Sequence, residues 1–233
     1  MIKRAAAILV STLAILAVTP TVLAQTPPGD PPFRLPFAEN PGPSTWYIVQ
    51  HYGSTRTAYV RRTVWYGSGQ GLHFGVDFSA RCGTEVVAIG DGSILKVDAP
   101  EHGAGPHNLL ILHDNGFVSL YGHLRDRPRF APFTRVEQGQ VIGVTGDPDL
   151  TCSSRPHLHL EIRDRSLFYA YNPVDFIDAD WDSLALFGPS SGFQRDLSDP
   201  GRWQTLHDQP AVQFGAPLLN DFRTPWPPDR SGW

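Results

Sequence analysis

Two cysteines, two lysines and one methionine are all that 233 residues contain of those types. There is no basic run and no pattern of stacking aromatics, which excludes a nucleic-acid-binding class. The formal net charge is −4 and includes two basic residues at the extreme N-terminus, Lys3 and Arg4. Arginine far outnumbers lysine, a compositional bias with no functional content of its own. No apolar run reaches the roughly 20 residues needed to cross a bilayer. Between Thr45 and Ile177 no convincing amphipathic helical period is found, which argues against a helical domain.

The longest apolar run, Ala5 to Val18, follows Lys3 and Arg4 and leads into Val22-Leu23-Ala24 with Gln25 next. That is the layout of a secretory signal peptide over residues 1–24. No cysteine follows the expected cut, which argues against a lipid anchor there. Export gives the cysteine pair a meaning, because outside the cytoplasm a lone pair reads as a disulfide rather than a redox or zinc motif. Cys82 lies five residues after Asp77, and Cys152 lies five before His157. If the strands at Asp77 and His157 are antiparallel neighbours, the cysteines come out opposite one another. A Cys82–Cys152 bridge is therefore expected.

Residues 25–43 are rich in proline and glycine and read as an extended linker or strand-poor arm. Residues 44–177 alternate short strands with turns. Gly90-Asp91-Gly92 separates Glu85–Ile89 from Ser93–Val97, and Asn115-Gly116 separates Leu109–Leu112 from Phe117–Leu120. Both are hairpin signals, because Gly and Asn accept the positive φ of tight turns. The pattern predicts an all-β domain of mostly antiparallel sheet with short hairpins. The loops 98–108, 125–135 and 146–156 are expected to rim a groove on that sheet. Residues 178–233 form a Pro- and Trp-rich extension to which no chemistry is assigned.

Three strands carry histidine on their polar side. In Leu72-His73-Phe74-Gly75-Val76-Asp77-Phe78, strand alternation sends His73, Gly75 and Asp77 to one face. In Val118-Ser119-Leu120-Tyr121-Gly122-His123-Leu124 it groups Ser119, Tyr121 and His123. In His157-Leu158-His159-Leu160-Glu161-Ile162 it groups His157, His159 and Glu161. Zinc takes histidine nitrogen and aspartate oxygen, and a catalytic zinc keeps a position open for water. Three of the five groups His73, Asp77, His123, His157 and His159 would make such a site, in a groove on the polar sheet face. Gly75 suits a chelating pair, since a side chain there would occupy the space of a shared ion. Glu161 reads equally as a hydrogen-bond acceptor for a ligand and as a solvated strand residue. His51, His102, His107, His113 and His207 lack this context and read as loop or surface residues.

Together, His73-Phe74-Gly75-Val76-Asp77, Tyr121-Gly122-His123-Leu124 and Pro156-His157-Leu158-His159-Leu160-Glu161-Ile162 resemble the lysostaphin-type (LytM-like) zinc endopeptidases. The resemblance runs from about Gln70 to Phe176. It implies one zinc per chain held by His73, Asp77 and His159, with His157 and His123 as the catalytic pair. It also implies peptidoglycan peptides as substrate and a secreted, periplasmic or cell-wall-associated protein. Two departures stand out: Arg155 stands where the family usually has glycine, a change that bears on the groove floor or loop and leaves the ligands untouched, and the loop bearing Cys152 is longer than usual, which bears on substrate preference.

Three other readings compete. A non-catalytic wall-binding scaffold or activator is disfavoured because all five positions are filled. Two histidines and a carboxylate also make an iron facial triad, but that leaves two strand-borne histidines unexplained. A carrier domain attached at Lys96 fails because Lys96 lies within a strand rather than at a hairpin tip.

Overall fold

Strand alternation is visible directly in the burial of the last histidine strand. Leu158, Leu160 and Ile162 are fully buried in the main core, so His157, His159, Glu161 and Arg163 project from the opposite face. The computed structural model describes residues 29–186, 192–194, 199 and 201–221. The signal-peptide expectation, residues 25–28 and parts of the C-terminal extension lie outside the described residues.

The strands are β1 (Trp46–Gln50), β2 (Val76–Ala80), β3 (Glu85–Val87), β4 (Gly92–Val97), β5 (His107–His113), β6 (Val118–Leu124), β7 (Arg135–Val136), β8 (Val141–Val144), β9 (His157–Arg163), β10 (Tyr169–Tyr171) and β11 (Val212–Gln213). The main sheet runs β1-β2-β9-β6-β5-β4-β7, with β10 and β11 continuing from β9. Its strand pairs are antiparallel. The all-β, mostly antiparallel expectation is met. Asn115-Gly116 closes the β5–β6 hairpin, with Gly116 at φ 89° and the Asn115 side chain accepting from Phe117 N–H.

The other expected hairpin does not form. β3 pairs with β8 in a separate two-stranded sheet, while β4 pairs with β5 and β7. Gly90-Asp91-Gly92 is thus a corner between two sheets. A turn signal reports a change of direction, not which strand lies on the other side. A helix also escaped the sequence reading: α1 (Arg56–Arg61), capped by the Thr55 hydroxyl accepting from Ala58 N–H. At six residues it is too short to display a helical period. A second short helix, α2 (Trp181–Leu184), lies in the extension.

One face of the main sheet carries the core, which includes Trp46, Phe78, Ile94, Ile111, Tyr121, Leu158 and Leu160. The Pro-rich arm is strand-poor but docked, with Phe33 and Phe37 3% exposed and packed into that core. The extension wraps the domain: Val212 pairs with Ala170, and Trp181, Leu184 and Leu206 join the core. On the other face a small cluster of Ala99, Leu110, Val118 and Leu120 adjoins the polar row of β9.

Two histidines read as loop or surface residues are buried. His113 lies at the end of β5, with Nδ1 bonded to the Asp91 carbonyl at 2.9 Å and Nε2 to the Ser119 hydroxyl at 2.7 Å. Its imidazole is a satisfied core group. His51 is 3% exposed against Phe193.

Candidate metal centre and groove

The β2–β9 register sets Asp77 directly opposite His159. His73 sits just ahead of β2, bridged to Gly53. His73 Nε2 and Asp77 Oδ1 are 3.3 Å apart, His73 Nε2 and His159 Nδ1 are 3.3 Å apart, and His159 Nδ1 and Asp77 Oδ1 are 2.7 Å apart. Donors about 2.0–2.1 Å from a tetrahedral zinc stand roughly 3.3 Å from one another. The three side chains are all buried.

Each ring is held from behind. His73 Nδ1 lies 2.8 Å from the His51 carbonyl. A carbonyl only accepts, so Nδ1 carries the proton and Nε2 offers its lone pair to the cluster. His159 Nε2 lies 3.2 Å from Glu161 Oε1, and Glu161 Oε2 accepts from Arg163 Nε at 2.6 Å. Burial alone would raise the Asp77 carboxyl, but His73, His157 and His159 hold it well below the usual carboxylate range. Burial opposes charge on His159, yet its hydrogen bonds to Asp77 and Glu161 raise it to about 9. Two imidazole nitrogens and a carboxylate oxygen thus converge with their outer atoms fixed, a donor set that fits a zinc-type dication.

Gly75 is also required by the packing of His159. A Cβ there would lie 2.7 Å from His159 Cε1 and 2.6 Å from the Leu160 carbonyl. The glycine leaves room for the Cε1–Nε2 edge of the His159 ring.

His157 and His123 stand beside this cluster with ring centroids 4.6 Å apart. His157 Nδ1 bonds the Arg155 carbonyl at 2.7 Å, leaving Nε2 3.9 Å from Asp77 Oδ1. His123 arrives by a route that alternation does not predict. Tyr121 and Ser119, expected on its face, are fully buried on the core side, where the Tyr121 hydroxyl accepts from Ile89 N–H at 2.9 Å. Between the pairs Leu109↔Tyr121 and His107↔Leu124, β6 has two residues, Gly122 and His123, against one on β5. This is a β-bulge, and His123 within it has φ 56°. The bulge turns the ring from the Tyr121 face to the His157 face. Gly122 permits it: a Cβ there would lie 2.3 Å from that of Ala104, whose carbonyl accepts from His123 N–H at 2.9 Å. His123 Nδ1 bonds the Gly105 carbonyl. Burial, with His157 and His159 alongside, lowers His123 to about 4.

Residues 71–174 match the description "Peptidase family M23". The chain carries a peptidase family M23 domain. Among curated relatives, the glycyl-glycine endopeptidase ALE-1 of Staphylococcus capitis is 34% identical over 48% of this chain and 30% of its own length. Lysostaphin of Staphylococcus simulans is 30% identical over 60% of this chain and 27% of its own. The peptidoglycan DD-endopeptidase ShyC of Vibrio cholerae is 35% identical over 38% and 19%. The matched segment thus spans less than a third of these relatives. Among solved structures, the catalytic domain of lysostaphin aligns over 56% of this chain and 91% of its own, at 26% identity and a TM-score of 0.44.

The M23 domain's cluster forms the floor of a groove of about 740 Å³. One wall comes from the 146–156 loop through Pro148, Ser154, Arg155 and Pro156, and Ala104 comes from the 98–108 loop. The 125–135 loop, also expected at the rim, contributes no lining residue; Arg127 instead pairs with Asp98 at 3.1 Å. The facing wall is Val49, Gln50, Thr57, Trp65 and Tyr66, which the sequence reading did not connect with the site. Tyr66 stands edge-on to His73 at 5.5 Å and bonds Gln50 at 3.3 Å. The local sequence around Trp65 and Tyr66 carries no motif that separates a groove wall from ordinary surface. The Cys82–Cys152 disulfide is present, with Cα atoms 5.6 Å apart, and ties the 146–156 loop to the turn after β2.

Proposed function

We propose that this chain is an exported zinc-dependent endopeptidase that hydrolyses peptide bonds of bacterial peptidoglycan. The observation that carries the reading is the convergence of His73 Nε2, Asp77 Oδ1 and His159 Nδ1 within 3.3 Å of one another on a groove floor, with two further histidines alongside. His73, Asp77 and His159 hold one zinc per chain in this reading. When bound, zinc polarises a carbonyl and lowers the pKa of a coordinated water towards neutrality.

The chain's own residues handle the protons. His157 presents a bare Nε2 to the groove, with its Nδ1 proton committed to the Arg155 carbonyl. It takes a proton from the attacking water, and the Asp77 charge 3.9 Å away stabilises the imidazolium that results. That proton then goes to the leaving amine. His123 is neutral near pH 7 and also offers Nε2. It becomes a donor to the developing oxyanion only after accepting a proton itself. Serine or cysteine nucleophiles have no role.

Peptidoglycan as substrate is supported by the named activities of the relatives and by the export signal read in residues 1–24. The proposed organisation adds a Pro-rich arm (25–43) docked on the core through Phe33 and Phe37, a peptidase domain (44–177) and a wrapping extension (178–233), in a secreted, periplasmic or wall-associated protein. The test incubates the chain from Gln25 with purified peptidoglycan, with and without chelator and restored zinc, followed by mass spectrometry of soluble fragments. Zinc-dependent release of peptide-cleaved fragments is expected. No release from folded, zinc-loaded protein overturns the enzyme in favour of a scaffold or activator.

A further inference from the structure

The groove has an unbalanced charge at its rim. Its lining includes one carboxylate, Asp77, which is committed to His73 and His159. It also includes one permanent cation, Arg155. The Arg155 guanidinium lies 5.9 Å from the Trp65 ring centroid, at the outer limit of a cation–π contact. A second guanidinium, Arg61, lies 4.7 Å from the same centroid. Arg127 and Arg135, also exposed, are each paired with an acid, Asp98 and Asp114. Among the described residues no carboxylate pairs with Arg61 or Arg155. Two like charges share one indole, and none of the described residues neutralises them.

The backbone beneath Arg155 is pinned. Asp147 accepts from Arg155 N–H at 3.0 Å and from Ser154 N–H at 2.9 Å, and His157 Nδ1 donates to the Arg155 carbonyl at 2.7 Å. Cys152 is bridged to Cys82. A ligand there would not have to order a loose loop, which lowers the cost of binding. The location is also constrained. Trp65 and Tyr66 have ring centroids 6.4 Å apart, and Tyr66 and His73 5.5 Å apart. A peptide advances about 3.4 Å per residue when extended, so a group on Trp65 is within roughly three residues of a bond held at the cluster.

We propose that Arg155, with Arg61 beside it on Trp65, is a binding site for a free carboxylate of the peptide substrate, within about three residues of the scissile bond. A guanidinium fork matches a carboxylate with two parallel hydrogen bonds. The site therefore favours peptides that keep free acid groups over neutral, glycine-only or amidated ones. This assignment rests on the peptidase reading above for its substrate, but its binding test does not.

The probes are a cross-linked stem peptide with its carboxylates intact and the same peptide with them converted to carboxamides. Turnover is measured on the zinc-loaded chain, and calorimetric binding on the same chain after chelation, where no cleavage competes. The acid peptide is expected to bind and turn over about ten- to a hundredfold better than the amide. R155Q should erase most of that ratio by weakening the acid peptide alone, R61Q should erase part of it, and R155K should retain an intermediate preference. Raising salt should shrink the ratio. Equal affinity for the two peptides in the wild type, or an unchanged ratio in R155Q, overturns the assignment. If neither peptide is cleaved but the acid preference in binding persists and is lost in R155Q, the peptidase reading fails and the carboxylate site stands.

Discussion

Replacing Glu161 by glutamine tests whether the charge buried behind His159 belongs to the metal site. Glu161 is fully buried, with Oε1 3.2 Å from His159 Nε2 and Oε2 accepting from Arg163 at 2.6 Å. Glutamine is nearly isosteric, so packing and one neutral acceptor survive and only the negative charge is removed. Two magnitudes follow. Loss of a carboxylate that orients a ligating histidine weakens metal binding by about 10- to 100-fold, or about 1.4–2.8 kcal/mol. Separately, Arg163 keeps its charge at 2% exposure without an anionic partner. Breaking a buried pair from one side costs about 3–5 kcal/mol. The low end applies, because Arg163 still reaches the His102 carbonyl at 3.0 Å and lies 4.3 Å over the Phe214 ring. A loss of about 3 kcal/mol lowers Tm by roughly 6–12 °C in a domain of this size. Zinc affinity is read by competition with a fluorescent chelator, and stability by thermal unfolding of the metal-free protein. Adding Arg163→Met should recover much of the stability without recovering zinc affinity. A folded Glu161→Gln protein that binds zinc within twofold of wild type would refute the reasoning.

Four further outcomes are expected. His73→Ala and Asp77→Ala lose metal and turnover together, whereas His157→Ala keeps metal and loses turnover; metal content by elemental analysis beside a cleavage assay separates them, and retained turnover in the His157 variant sinks its proton-transfer role. At position 123, where φ is 56°, glycine should be more stable than alanine by about 1–2 kcal/mol, and urea unfolding showing the reverse would contradict the bulge. Removing both cysteines by Cys82→Ser and Cys152→Ser opens a loop with a sequence separation of 70, for a loss of about 4 kcal/mol on the chain-entropy account, read from the denaturation midpoint. Burial lowers His113 to about 4 from 6.5; its folded pKa is depressed, so its contribution is present above about pH 6.5 and lost as pH falls through 4, worth about 3 kcal/mol. Wild type should lose that much more stability than His113→Gln between pH 7 and pH 4, and parallel losses would show the ring is not held neutral.

The meeting of Asp77 and His159 was legible because it rests on register, whereas the choice of three ligands among the five candidate groups came from the family resemblance alone. His159 and Asp77 sit on uninterrupted strands, and antiparallel pairing carries their alternation straight into space. The Cys82–Cys152 pairing follows from the same register. Where the reading stopped short, the cause was a break in regularity or a contact distant in sequence. Gly90-Asp91-Gly92 marks a turn, but the choice of β8 over β4 as partner for β3 is made by the core. Phe33 and Phe37 sit in a segment whose composition reads as linker, and only the tertiary structure reveals their burial. Trp65 and Tyr66 reach the groove because the turn after α1 brings Tyr66 edge-on to His73, with Trp65 beside it.

His123 shows most clearly why chemistry and regularity part company. A strict β6 strand would place position 123 beside Leu158, in the apolar core, where a histidine would lack polar partners. Instead one extra residue is inserted opposite Asn108, and a non-glycine residue is held at positive φ. Such a backbone costs of order 1–3 kcal/mol and persists only when its surroundings over-determine it. Here Ala104, Gly105 and Gly146 supply those surroundings through hydrogen bonds to the His123 N–H, ring and carbonyl. The strain falls at the strand position that brings the His123 ring to 4.6 Å from that of His157. That coincidence of local cost and site geometry supports a role for His123 in the reaction more strongly than its motif does.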